Sequence, residues 1–243
     1  MAITVIIPAR YASTRLAGKS LLDIAGKPMI THVVNQAILS QADRVIVATD
    51  DERIAQALTD ENCEVCMTKA DHPSGSDRLA EVVTKLNFDE QDIVVNVQGD
   101  EPMIPPQLID QVATTLANAS NAVMSTAAHA IENQADIDNP NVVKVVFDQD
   151  GKALYFSRAA IPFDRDGDGR KAWRHIGIYA YRAGFLKRYH QLIPSVLEQS
   201  EKLEQLRVMD NGESIVVQTI DYDPGIGVDT QQDLDHVRAR LQK

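Results

Sequence analysis

Apolar residues in this chain fall into short unbroken runs that alternate with stretches of helical spacing. The opening run, residues 3–7, is rich in β-branched side chains and stops at Pro8, so it predicts a strand followed by a loop. Pro28 then starts an amphipathic segment to Ser40, with Met29, Ile30, Val33, Val34, Ala37 and Ile38 at helical spacing and a proline at a first-turn position. Residues 44–49 form a continuous apolar strand, and Asp50-Asp51 caps a helix to about Leu58. A third unit pairs a strand at 64–67 with a helix carrying Leu79, Ala80, Val82, Val83 and Leu86, and a fourth pairs residues 92–98 with a helix over 106–118, before a strand at 122–127. Four such alternations predict an α/β fold: a mostly parallel central sheet, Rossmann-like, with helices on both faces and its ligand loops at one edge.

The second half breaks that rhythm. Residues 142–147 and 152–157 flank Asp148-Gln149-Asp150-Gly151, a hairpin signal, and residues 176–181 supply another strand. The expectation is an antiparallel insertion at about 140–190 that covers the site as a lid and makes a dimer contact. A helix over 200–208, a strand over 214–220 and a last helix over 230–241, with Thr230 and Asp233 spaced as a capping box, complete one domain without internal repeats.

Charge sharpens the picture. The chain has 243 residues, with 35 acidic against 24 Lys and Arg and a net charge of -11, which argues against a broad nucleic-acid or anionic-membrane surface. Yet the loop after the first strand places Arg10, Arg15 and Lys19 ahead of the first carboxylate, Asp23. A cationic loop at the carboxyl end of a buried strand suits a polyphosphate. Gly18-Lys19-Ser20 is not a Walker motif, because Ser13 stands where that nest needs glycine. No leader-like or membrane-length apolar segment is present, so a cytoplasmic protein is expected. Cys63 and Cys66 form a lone CxxC, too few thiols for a zinc site, and read as reduced structural thiols.

Two carboxylates stand out. Asp100 follows the fourth strand and a glycine, and Asp229 follows a Gly-x-Gly-Val approach to the final helix; both can reach the edge that carries the cationic loop. With a triphosphate they would make a magnesium site, although either alone reads equally well as a turn or cap residue. Glu101 is expected to turn away. Ser74, Gly75 and Arg78 are candidates for a base or ribose contact, with helix capping an equal account of Ser76. Asp164 to Gly169 copies the start of a calcium loop, but His175 occupies the position of the bidentate Glu, so a plain surface loop is expected.

Several long motifs occur in order: Ile6-x-Pro8-Ala9-Arg10-Tyr11-Ala12-Ser13-Thr14-Arg15-Leu16-x-Gly18-Lys19, Val97-Gln98-Gly99-Asp100-Glu101-Pro102, Tyr155-Phe156-Ser157-Arg158, His175-Ile176-Gly177-Ile178-Tyr179, Leu203-Glu204-Gln205-Leu206-Arg207 and Gly227-Val228-Asp229-Thr230. Together they resemble the 3-deoxy-manno-octulosonate cytidylyltransferases, the CMP-Kdo synthetases, along the whole chain. The resemblance implies a nucleotidyltransferase sheet in a Mg2+-dependent homodimer that joins CTP to Kdo, releasing pyrophosphate, for lipopolysaccharide biosynthesis, with neither nucleic acid nor membrane insertion involved. It implies CTP on Pro8, Ala9, Arg10, Ser13, Lys19, Ser74, Gly75, Arg78 and Asp100, and catalysis by Asp100, Lys19, Arg10 and Asp229. Asp100 and Asp229 would hold the metal, and Arg15, Gln98, Arg158, His175, Tyr179, Glu204 and Gln205 would line the sugar pocket. Without it, His175 reads also as a hydrogen-bonded core histidine. Departures from the family pattern are Ala17 and Ser20 in place of prolines, Asp77 in place of glutamate, and a short glycine-rich stretch from Asp166 to Trp173. An amino-substituted Kdo or a sialic acid as acceptor, or a catalytically silent nucleotide-binding regulator, are the alternatives.

Overall fold

The computed structural model describes residues 1–12, 16–72, 74–167, 169 and 171–242. The chain opens with strand β1 (Ile3–Ala9), then a small hairpin of β2 (Asp23–Ile24) and β3 (Lys27–Pro28) that leads into helix α1 (Met29–Ile38). The βα alternation follows: β4 (Arg44–Thr49), α2 (Glu52–Ala57), β5 (Glu64–Met67), α3 (Gly75–Lys85), β6 (Ile93–Asn96), α4 (Pro106–Asn118) and β7 (Met124–Ile131). Next come α5 (Gln134–Asp138), β8 (Lys144–Phe147), β9 (Ala153–Ser157), β10 (Ala172–Arg182), α6 (Ala183–Arg188), α7 (Val196–Glu201), α8 (Gln205–Asp210), β11 (Ile215–Ile220) and α9 (Gln231–Leu241).

The main sheet runs β11-β7-β10-β6-β1-β4-β5. β1 pairs in parallel with both β4 and β6, β4 with β5, and β11 with β7, whereas β10 is antiparallel to β6 and β7. The mostly parallel sheet is therefore as expected, with one difference in the insertion: β8 and β9 do form the predicted hairpin, but β10 lies inside the main sheet. Strand β10 carries alternate residues into the cores on both faces, with Ile176, Ile178 and Ala180 on one side and Tyr181 on the other, and such a strand is more stable inside a sheet than across its mouth.

Alternation along β1 sends Val5 and Ile7 toward α1, α2 and α4, and Ile6 toward α3 and α6, all fully buried. Each such side chain contributes roughly 1.5–3 kcal/mol through burial. A third, smaller core joins Leu234 and Val237 of α9 to Ile24, Met29 and Val228. This core docks the end of the chain beside the first loop, with the Arg238 guanidinium donating to Asp23 O at 2.9 Å.

Caps follow the sequence, with two corrections. Asp51 caps α2 and Thr230 with Asp233 closes a capping box on α9. α3 is capped by Ser74, not Ser76; its hydroxyl accepts from Asp77 N and donates to the Asp77 carboxylate, so the shorter acid at 77 closes the cap. The single helix expected over 200–208 is two helices, α7 and α8, broken at Lys202 in the left-handed conformation (φ 56°). Cys66 lies buried on β5 and Cys63 packs beside the core; burial raises both thiols, Cys63 to about 11, which suppresses thiolate chemistry. In the loop that imitates a calcium site, the Asp164 carboxylate accepts from Gly167 N and Gly169 N, while Asp168 lies outside the described residues. No described helix is long and apolar enough to cross a membrane.

Candidate active site

The strand order reverses at β1: β4 and β5 follow to one side, while β6 comes back to the other. Loops at such a switch point splay apart and leave a crevice at the carboxyl ends of the strands. Two cavities meet there. The smaller, about 270 Å³, is walled by Pro8, Ala9 and Arg10 from the end of β1, by Lys19, and by Ser74, Gly75 and Arg78 from the start of α3. The larger, about 650 Å³, lies toward β10 and the α7–α8 break and is walled by His175, Tyr179, Glu204 and Gln205. Gly75, Gln98, Asp100 and Glu204 belong to both walls.

Backbone constraints fix the first loop. Gly18 has φ +62° and lies against the Tyr11 ring, where a Cβ would come within 3.0 Å, so glycine is required before Lys19. The Tyr11 ring also carries the Arg53 guanidinium, 3.3 Å from its centroid. Lys19 opens a short 3-10 turn. Its ammonium reaches Asp100 Oδ2 at 2.5 Å and Asp229 Oδ1 at 3.1 Å.

Asp100 is delivered by a tight turn after β6. A Cβ on Gly99 would stand 2.8 Å from Pro8 O, so the turn can press against β1 only because that residue is glycine. Asp229 arrives from the far end of the chain: Val228 N donates to Asp100 O at 2.8 Å, and the Asp233 carboxylate accepts from Asp229 N at 3.1 Å. The two acids are thus tied together by backbone as well as by Lys19. They form an oxygen-donor set, and among the described residues no cage of three or more His, Cys, Asp or Glu surrounds them.

Glu101 does not turn away. It lines the larger cavity, and burial, followed by the nearby charges of Asp100 and Asp229, pushes its pKa up to about 8. Glu204 is also raised, first by burial and then by Glu198. Arg78, almost wholly buried, has Thr68 and Asp50 as partners, and burial lowers its pKa.

His175 is a hydrogen-bonded histidine between the core and a cavity. It packs edge-on against Phe156 and lines the larger cavity, and burial holds its pKa down at about 3. Its Nε2 lies 2.9 Å from Thr126 Oγ1, which also lies 2.8 Å from Ile178 O and 3.1 Å from Ile176 O. The single hydroxyl proton goes to a carbonyl, so the ring nitrogen must donate; the network assigns the Nε2–H tautomer and leaves Nδ1 an acceptor.

Of the residues expected at the site, Ser13 and Arg15 lie outside the described residues. Arg158 is not brought to either cavity. Its guanidinium donates to Glu201 O at 2.7 Å and to Pro140 O at 3.0 Å, which ties it to backbone, and it is absent from the described walls of both cavities. Among the described residues, the larger cavity is lined by the cations Arg174 and Lys202, which sequence reasoning passed over: Arg174 beside a motif histidine and Lys202 in what read as a helix interior. His72 was missed too. It lines the smaller cavity with its Nε2 2.5 Å from the Glu81 carboxylate, and only the recurrence of polar loops at one sheet edge signalled it. Buried Asn96 Oδ1 and Gln205 Nε2, both on the larger wall, find no hydrogen-bond partner among the described residues, and unpaired polar atoms of this kind favour a polar occupant.

A family model described as cytidylyltransferase matches residues 4–215. A 3-deoxy-manno-octulosonate cytidylyltransferase of Aeromonas hydrophila is 58% identical over 99% of both chains, and one of Yersinia enterocolitica is 55% identical over 98% of both. The solved structure of a CMP:2-keto-3-deoxy-manno-octonic acid synthetase complexed with CTP matches with a TM-score of 0.94 at 43% identity, covering 100% of this chain and 99% of that one. A cytidylyltransferase structure from Leptospira borgpetersenii, 16% identical with a TM-score of 0.67 and 87% of its chain covered, shares the fold. With its two cavities meeting at Asp100, and with relatives of this identity along its whole length, the chain belongs to the cytidylyltransferase family and, within it, to the 3-deoxy-manno-octulosonate cytidylyltransferases.

Proposed function

We propose that this chain transfers CMP from CTP to the anomeric hydroxyl of 3-deoxy-D-manno-octulosonate, giving CMP-Kdo and pyrophosphate. One observation carries the reading: Asp100 and Asp229, far apart in the chain, converge on Lys19 at the seam between a small cationic cavity and a large polar one. The smaller cavity takes the nucleotide, with Arg10 and Lys19 meeting the triphosphate and Ser74, Gly75 and Arg78 the nucleoside. The larger takes the sugar. Lys202 and Arg174 supply positive charge for its carboxylate, and Gln98, Tyr179, Glu204, Gln205 and neutral His175 supply donors and acceptors for its hydroxyls.

In the step itself, the sugar hydroxyl oxygen forms a bond to the α-phosphorus as the bond to the bridging oxygen of pyrophosphate breaks, and the hydroxyl proton passes to solvent. Arg10 and Lys19 stabilise charge on the phosphate oxygens and on the departing pyrophosphate. Gln98 and Asp100, at the seam, face both reactants. Asp100 and Asp229 fit Mg2+, since two carboxylates plus phosphate and water oxygens complete its preferred shell. When bound there, Mg2+ would supply Lewis-acid polarisation of the phosphate oxygens.

We place this reaction in the cytoplasm, where CTP is made, at the entry of an activated acidic sugar into lipopolysaccharide biosynthesis, and expect a homodimer through the region around residues 140–190, where Leu154 and Phe163 are exposed. The test offers CTP, UTP and ATP with Kdo, 8-amino-Kdo and N-acetylneuraminate in turn and records pyrophosphate release. CTP with Kdo should be the best pair and should lose turnover on chelation of divalent ions. Preference for another sugar, or silence with every pair, would overturn the reading.

A further inference from the structure

Gly177 sits between His175 and Tyr179 on β10 and lines both the larger cavity and an adjoining space of about 110 Å³. Glycine at such a position normally answers a backbone need, either a left-handed φ or a close approach by a neighbour. Neither exists here. Gly177 is absent from the left-handed glycines, and a Cβ built on it would meet nothing within 4 Å. The backbone accepts any side chain, so the reason for glycine lies in the space beyond it.

That space is built deliberately. Ile176 pairs with Ala127 and Tyr179 with the next residue of β7, Thr126, so Gly177 and Ile178 have no partner across that ladder and form a bulge. The bulge is pinned from behind. Fully buried Thr126 sets its hydroxyl 3.1 Å from Ile176 O and 2.8 Å from Ile178 O, the carbonyls on either side of the glycine in the chain order. A stretch of backbone without a side chain is thereby fixed as a wall of the larger cavity.

We propose that Gly177 is a specificity-determining position: its bare backbone, held by Thr126, leaves the room that an eight-carbon acidic ulosonate requires. The inference rests on the larger cavity being the sugar site. A residue with any side chain at 177 would still fold, bind CTP as before and exclude part of the sugar.

The test uses the full-length Gly177→Ala and Gly177→Val variants, with saturable turnover of CTP and Kdo by the native chain established first. Both variants should melt within about a degree of the native protein and keep its KM for CTP. The KM for Kdo should rise about tenfold or more for alanine, as one misplaced methyl does in a fitted pocket, and further for valine. A seven-carbon 3-deoxy-heptulosonate should lose less than Kdo. A native KM for Kdo in Gly177→Ala, an equal rise in both KM values, or failure of the alanine variant to fold would each overturn the proposal, the last because the added methyl would then have met something. Absence of native turnover with Kdo would instead sink the assignment of the larger cavity, and this proposal with it.

Discussion

The two cavities that meet at Asp100 are built by different means. The smaller is made of strand ends and loop starts in the parallel half, where β1 stops at Ala9, α3 starts at Gly75 and a 3-10 turn presents Lys19. Each contributor is local in sequence and stands near a chain punctuation point: Pro8, Gly18, Gly99 or the Ser74 cap. The larger cavity is made of a bulge in an antiparallel strand and a break between two short helices, neither of which any local pattern specifies. The difference is one of kinship with the fold. Under the proposed reading, phosphate binding would come with the sheet edge and the charge of the loop, whereas recognition of the sugar would depend on tertiary adjustments laid over that sheet.

The sharpest way to break the comparison is at the seam. Asp100→Ala should leave the fold intact, because its carboxylate is a third exposed and, among the described residues, its side-chain partner is Lys19. Turnover should fall by roughly a thousandfold, the upper end of losses for one preorganised electrostatic group. The pyrophosphate assay and a melting curve together decide it. A variant with more than a tenth of native activity would separate the seam from the chemistry.

Lys19→Met tests one side only. If the smaller cavity serves the triphosphate alone, kcat/KM for CTP should drop about a hundredfold while the KM for sugar holds. A comparable rise in both KM values would mean that the ammonium, by holding Asp100 and Asp229 at 2.5 and 3.1 Å, organises both cavities.

Legibility in the sequence follows the same division. Periodicity placed β4, β5 and α4 at their observed bounds, and Arg10 and Lys19 of the cationic loop, with Ser74, Gly75 and Arg78, fell together on one wall, because strand ends and caps are written in adjacent residues. β10 was read as part of an insertion, since the choice of its partners, β6 and β7, depends on segments far away in the chain. The β2–β3 hairpin was missed because two-residue strands have no period, and it is the hairpin on which α9 docks to carry Asp229 inward. Glu101 was misjudged because a tight turn alone does not fix the direction its side chain takes, and Arg158, named by a motif, lies away from both described walls.

A third prediction concerns the larger cavity through pH. His175 is held near pKa 3 against 6.5 for the free imidazole, so as pH falls through 6.5 the unfolded chain takes up a proton that the folded chain refuses. Stability from this group is therefore full above pH 6.5 and is lost as pH falls from 6.5 toward 3, by at most about 1.4 kcal/mol per unit. His175→Gln keeps a donor for Thr126 and cannot titrate. Between pH 6.5 and 5 the native chain should lose up to about 2 kcal/mol more than the variant in denaturant titrations. Equal losses would show that the ring takes up a proton in the folded chain and would remove the argument for its fixed tautomer.

The smallest expected effect probes the break between α7 and α8. Lys202 holds φ 56°, with Leu203 N reaching back to Glu198 O, the kind of helix end at which glycine is the commonest residue. A side chain in this conformation costs about 1–2 kcal/mol, of which the entropy of glycine in the unfolded chain takes back part, so Lys202→Gly should stabilise by up to about 1 kcal/mol. Lys202→Ala keeps a Cβ in the same strained conformation and should gain nothing. The two variants lose the same positive charge from the larger cavity, so both should raise the KM for the acidic sugar equally while only one melts later. Such a result assigns the charge to the ligand and the turn to the fold. A glycine variant that melts earlier than the alanine variant would show that contacts of the lysine stem, and not the surrounding helices, hold the break in place.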